Sequence, residues 1–227
     1  MKNISNFPNM VSLRTRILSA VVFAALLAGG LSACVPLAVT GVAVGGMAVV
    51  DRRSVGTQTE DEGLEWKISA AITEKFGEKV HINQTSYNRR VLLTGEAPDE
   101  ETRRQAEQLV AAMPNVQGVW NEIQTGPVSS LGARSSDAYI TSKVKARFVD
   151  AGQFRPMLVK VVTEAETVYL MGIATRKEAD AAIQIARTTA GVKKVISVIE
   201  IITEEKAREL DPKPQENQRE QGSERIG

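Results

Sequence analysis

Two stretches of this chain repeat one another, and that repetition limits the fold more than any other feature. Ile68, Ile72 and Phe76 lie over Ile140, Val144 and Phe148. Both sets step by four residues, the spacing that puts apolar side chains on one helix face. Val91-Leu92-Leu93-Thr94-Gly95 lies over Val168-Tyr169-Leu170-Met171-Gly172, and each follows another strand-like run, Lys79–Thr85 and Leu158–Thr163. Val116-x-x-Val119-x-Asn121-x-Ile123 matches Val192-x-x-Val195-x-Ser197-x-Ile199. The offset between copies runs from 72 to 77 to 76, which places short insertions in the loops. Self-similarity of this kind means one structural unit used twice.

A helix lies between the glycine and the last strand of each copy. The second opens at Thr175 with Glu178 three residues on, a capping-box spacing. The first opens after Pro98 with Asp99, Glu100 and Glu101, where carboxylates suit the helix dipole. Pro114 and Gly191 follow as stop signals. Each unit therefore reads helix, strand, strand, helix, strand. The expected class is α+β: two tandem αββαβ domains at 61–126 and 136–204, each a small mixed three-stranded sheet packed on two helices. Pro127, Ser129, Ser130 and Gly132 mark 127–135 as a linker. The stretch 205–227 is polar, with Pro212, Pro214 and many Gln and Glu, and disorder is expected beyond about Leu210, after a helical extension.

Ahead of the repeats, Arg14 and Arg16 precede an apolar run from Ile17 to Ala28, then Gly29-Gly30 and Leu31-Ser32-Ala33-Cys34. A basic start, an apolar core and small residues describe a secretory signal, here 1–33, with Met10 as an alternative start. The last four residues resemble the bacterial lipobox, whose cysteine is lipidated, and Cys34 is the only cysteine in the chain. An uncut span would need about 20 apolar residues, and Gly29, Gly30, Ser32 and Pro36 interrupt this one. Residues 34–60 then read as a lipidated tether. Val35 stands where an Asp would resemble an inner-membrane retention signal, which points to the outer membrane.

With V-x-L-x-G closing each hairpin and V-x-x-V-x-N/S-x-I in each last strand, the two units resemble BON domains. Two of them behind a lipobox are similar to the dual-BON outer-membrane lipoproteins of the DolP type, and Arg53-Ser54-Val55-Gly56-Thr57-Gln58 resembles that group as well. The likeness runs from about Cys34 to Thr203. The family usually has glycine in the hairpin turn, two residues before the Val; this chain has Arg89 and Glu166 there. Asn88 tolerates a positive φ in the first copy, whereas Ala165-Glu166 offers no residue of that kind. The resemblance implies a lipid-anchored module facing the periplasm that binds anionic phospholipid, supports envelope integrity and catalyses nothing.

Composition narrows the remaining classes. One Cys and one His exclude an internal disulfide and a Cys/His zinc cluster. His81 alternates with Val80 and Ile82 and reads as an outward, solvated imidazole, with no placed nucleophile beside it. Losing Lys2, Arg14 and Arg16 with the signal takes the net charge from +1 to −2, a poor balance for a nucleic-acid binder. No cofactor is expected beyond the lipid on Cys34. The two first helices carry opposite charge: Glu60–Lys79 holds six acids and three lysines, Asp137–Lys160 two acids and five bases.

In the second copy Tyr139, Lys143 and Arg147 step by four beside the inward stripe of Ile140, Val144 and Phe148. Tyr suits a boundary between apolar and wet, so these three are the candidate phospholipid-binding residues. The plain alternative is a solvated basic face with Tyr139 packed on the core. A protein-interaction adaptor for an outer-membrane assembly machine is the alternative function, the oppositely charged copies taking lipid and protein respectively.

Overall fold

The computed structural model describes residues 51–211, all within one compact unit. The signal segment, Cys34, the stretch up to Val50 and the tail after Asp211 lie outside the described residues. Domain 1 runs α1 (Val55–Phe76), β1 (His81–Tyr87), β2 (Arg90–Ala97), α2 (Glu100–Ala111), β3 (Gly118–Asn121) and β4 (Gln124–Thr125). Domain 2 repeats the order with α3 (Leu131–Ala151), β5 (Val159–Glu164), β6 (Thr167–Thr175), α4 (Arg176–Arg187), β7 (Lys194–Ser197) and β8 (Glu200–Ile202), and a short α5 (Glu204–Leu210) follows. Helix α1 starts before residue 61 because Ser54 accepts from the Thr57 N–H and caps it. Ser130 does the same for α3 by accepting from Ala133, so the second half of the linker is already helical.

Each sheet is mixed. β2 pairs antiparallel with β1 and parallel with β3 and β4; β6 pairs antiparallel with β5 and parallel with β7 and β8. The expected single third strand is therefore split in both domains, at residues 122–123 and 198–199. The crossover helices start as expected. Asp99 caps α2 by accepting from Thr102, and Thr175 and Glu178 form both bonds of a capping box on α4. Gly95 and Gly172 sit where the central strand passes close under the start of its neighbour: a Cβ on either would collide with a backbone carbonyl, of His81 or of Leu158.

The register of the first helices needs correcting. Asp61, Leu64, Ile68 and Ile72 are the buried residues of α1, and Asp137, Ile140, Val144 and Phe148 those of α3. The copies therefore superpose at an offset of 76 rather than 72, one helical turn from the alignment on Phe76. Phe76 lies only half-buried beyond the main stripe. With this register the copies run nearly without insertion from first helix to last strand.

The same register explains the unusual turns. Asn88, Arg89, Ala165 and Glu166 all have positive φ, between 47° and 60°, so both hairpins close in the left-handed conformation without glycine. Buried Asp61 accepts from the backbone N–H of Asn88 (2.8 Å) and Arg89 (2.7 Å). Buried Asp137 accepts from Ala165 (2.9 Å) and Glu166 (2.9 Å). A carboxylate brought by the first helix thus holds each turn in shape, because charge-assisted bonds of this kind outweigh the left-handed penalty of about 1–2 kcal/mol per residue.

The two domains pack together. Val91 and Leu93 face α1 and α2, and Val168 and Leu170 face α3 and α4. The alternate residues, Leu92 of β2 and Tyr169, Met171 and Ile173 of β6, join Tyr87 in a third buried cluster shared by both sheets. The order is helices, sheet, sheet, helices. Polar contacts cross the seam: Lys160 pairs with Glu65 (2.9 Å), Asn88 donates to Glu200 (3.1 Å), and Asn83 donates to buried Glu164 (2.9 Å). Burial pushes the Glu164 carboxyl up, and Glu96 adds to that push, against the bond from Asn83. Arg52 is buried and joins Glu178 (2.7 Å) and Asp211 (2.9 Å). It thereby fastens the residues ahead of domain 1 to the end of domain 2. Burial alone would push the Glu178 carboxyl up; bonds from Arg52 and the Thr175 N–H outweigh it and hold the group low.

Candidate functional site

Helix α3 buries Ile140, Val144 and Phe148 against its sheet and α4, which leaves three kinds of residue around its rim. On one flank Lys143 donates to the carbonyl of Ala190. Arg147 donates to Ile185 O (3.0 Å), Thr189 Oγ1 (2.8 Å) and Thr188 Oγ1 (3.1 Å). Both cations therefore sit at the C-terminal end of α4, where unpaired carbonyls and the helix dipole favour positive charge. They are half-buried and partly structural. Tyr139 stands outside the core at 65% exposure, with the Lys143 ammonium 4.7 Å from its ring centroid. The structure thus brings all three sequence-derived residues into one neighbourhood, with Tyr139 on the surface.

The outward crest of α3 is a different stripe. Tyr139, Ser142, Ala146 and Val149 step by three, four and three, and all four are exposed. Val149 is as exposed as Tyr139, and Met157, just past the helix, is 61% exposed. On the far flank Lys145 is exposed and makes no ion pair among the described residues. Val149, Met157 and Lys145 went unremarked as site residues in the sequence, although the spacing from Tyr139 to Val149 was there to find. The charge contrast between the first helices shrinks on inspection: Asp61 and Asp137 are turn clamps, Glu60 pairs with Arg89, and Glu65 pairs with Lys160 across the seam. What differs outwardly is the crest. Its counterpart on α1 is Gly63, Trp66, Ala70 and Thr73, with Trp66 79% exposed.

No group of three or more His, Cys, Asp or Glu among the described residues could hold a metal ion, and no described helix is long and apolar enough to cross a membrane. His81 is partly exposed; its Nε2 lies 3.4 Å from Asn83 Nδ2.

Two mixed-sheet α+β modules packed sheet to sheet define a tandem-domain protein. The chain belongs to the BON-domain family: the family model, described as BON domain, matches residues 61–127 and again 136–203. Such domains are binding modules and not enzymes. Among curated proteins the chain is similar to the outer membrane lipoprotein DolP of Haemophilus influenzae, at 36% identity over 174 residues, covering 76% of this chain and 90% of that protein. It is also similar to a 21 kDa hemolysin of Actinobacillus pleuropneumoniae, at 37% identity over 155 residues, covering 67% of this chain and 80% of that one. It is thus a BON-domain protein homologous to an outer-membrane lipoprotein.

Proposed function

We propose that this chain is a periplasm-facing, lipid-anchored module of the outer membrane that docks onto anionic phospholipid and so supports the envelope barrier. One observation carries the reading: the crest of α3 exposes Tyr139 and Val149 equally, at 65%, between Lys143 on one flank and Lys145 on the other. The two ends of that crest lie about 15 Å apart along the helix, a length suited to lying in a headgroup layer. Tyr139, Lys143 and Arg147 remain the phospholipid-binding residues of this reading, with Lys143 and Arg147 also bracing the helix they share the surface with. Each cation near an anionic surface contributes about 1 kcal/mol, so the attraction is modest. Diacylglyceryl and N-acyl chains on Cys34, which the relation to an outer-membrane lipoprotein supports, would make the attachment lasting.

Two measurements test this. Radiolabelled palmitate should enter the wild-type protein and not Cys34→Ser, which should leave the outer-membrane fraction; labelling of that variant contradicts the anchor. The soluble form lacking Cys34 should pellet with phosphatidylglycerol vesicles, and Tyr139→Glu should abolish most of that pelleting. Unchanged pelleting removes α3 from the mechanism.

The adaptor reading has its own observation. Trp66, on the crest of α1, is 79% exposed, and exposed Trp is a frequent anchor at protein interfaces. A surface there could engage an outer-membrane assembly protein while α3 faces lipid.

A further inference from the structure

Between the end of α3 and the start of domain 1 lies a groove of about 390 Å³, within the range of small-ligand sites, roughly 300–1,000 Å³. Its apolar lining is Phe148, Val149, Met157 and Val159; Lys145 and Lys160 stand with it, as do Asp51, Arg53 and Tyr87. The walls are braced by side-chain contacts. Phe148 packs edge-on against Phe154 with centroids 5.0 Å apart. Arg53 lies 3.9 Å over the Tyr87 ring and is held by Asp51 and Asp61, each at 2.7 Å. Asp51, the one acid in the lining, is thereby neutralised, and Lys160 is occupied by Glu65. Lys145 is the cation left to pair with something else.

The geometry points to a binding site for one single-chain anionic amphiphile, a lysophospholipid, its acyl chain on the apolar wall and its phosphate beside Lys145. The charge arrangement favours this occupant: the Lys145 ammonium, a Lys160 already paired with Glu65 and a neutralised Arg-Asp wall border an apolar channel, which suits a chain ending in one anion. Position favours it too. Asp51, where the stretch after Cys34 joins the folded body, is itself part of the groove wall, so a membrane-tethered chain would carry the groove at its attached end. The inference rests on the phospholipid reading for the source of the lipid; the site shares Val149 and the flanking Lys145 with the α3 crest and leaves out Tyr139, Lys143 and Arg147.

The test uses the soluble full-length form lacking only Cys34 and the signal, with monomeric lauroyl-lysophosphatidylglycerol below its micelle concentration and no vesicles. Calorimetry should show saturable binding of one amphiphile per chain. Lys145→Glu should weaken it about ten-fold through charge reversal, and Met157→Asp about ten-fold through loss of apolar contact. Both positions are exposed, and unchanged melting temperatures confirm that the variants fold. Tyr139→Glu should leave amphiphile binding within about two-fold, because its side chain lies outside the groove, while abolishing vesicle pelleting. The zwitterionic lysophosphatidylcholine of equal chain length should bind several-fold more weakly. Absence of saturable binding overturns the groove site, as does equal binding of the zwitterionic lipid or an equal loss in Tyr139→Glu. Pelleting that persists in that event keeps the crest reading; amphiphile binding without pelleting sinks the crest and leaves the groove. Binding that appears only after removal of residues ahead of Asp51 assigns the groove to that segment and overturns the lipid occupant.

Discussion

Asp61 and Asp137 each spend a buried carboxylate on two backbone N–H groups of a hairpin turn, and their pairing explains how Ala165-Glu166 closes a turn that favours glycine. The absence of turn glycine was legible; its remedy was not, because the carboxylate comes from 28 residues away and its effect is tertiary. The aspartates themselves, each three residues before the first buried aliphatic of its helix, were visible and would have set the register correctly. Asp137→Asn replaces one acceptor oxygen with a donor facing a turn N–H, and should lower stability by about 2 kcal/mol. Glu166→Gly relieves the left-handed residue and should raise it by up to about 1 kcal/mol; the ion pair that it gives up, with Lys193, is exposed and contributes little. Urea unfolding of both variants checks the pair of signs, and an Asp137→Asn curve that overlays the wild type would refute the clamp.

At the level of elements, helices and strands were readable because local periodicity and capping agree with the fold, as with Asp99, Thr175 and the four-residue steps of α1 and α3. The split of each third strand was only faintly legible: the polar Asn121 and Ser197 are the last residues before it, and Asn121 Oδ1 accepts from the Ile123 N–H, but a single polar residue in a strand does not by itself announce a break. The central strands carried a message that composition alone disguises. Val91-Leu92-Leu93 and Val168-Tyr169-Leu170-Met171 are unbroken apolar runs, which mark a strand buried on both faces, whereas two helices cover only one. The second face had to meet something, and here it meets the other domain. On α3 the four-residue spacing picks out Tyr139, Lys143 and Arg147, of which the two cations are tied to the end of α4; the crest from Tyr139 to Val149 lies one step around the same helix.

For the whole molecule, back-to-back packing decides what each domain can do. Leu92, Tyr169, Met171 and Ile173 are each worth roughly 1.5–3 kcal/mol when buried, so the domains act as one body and the isolated second domain would expose its half of that seam. Such a body presents two different crests, that of α3 with Tyr139 and Val149 and that of α1 with Trp66. The central claim is that the second domain's crest is the one that meets lipid. Amide and indole NMR spectra of the soluble form, taken with and without phosphatidylglycerol nanodiscs carrying a paramagnetic headgroup label, test it most directly. Strong broadening is expected at Tyr139, Ser142, Ala146 and Val149, with the Trp66 indole and the amides of Gly63, Ala70 and Thr73 unchanged. Broadening centred on Trp66, or spread equally over both crests, would contradict it.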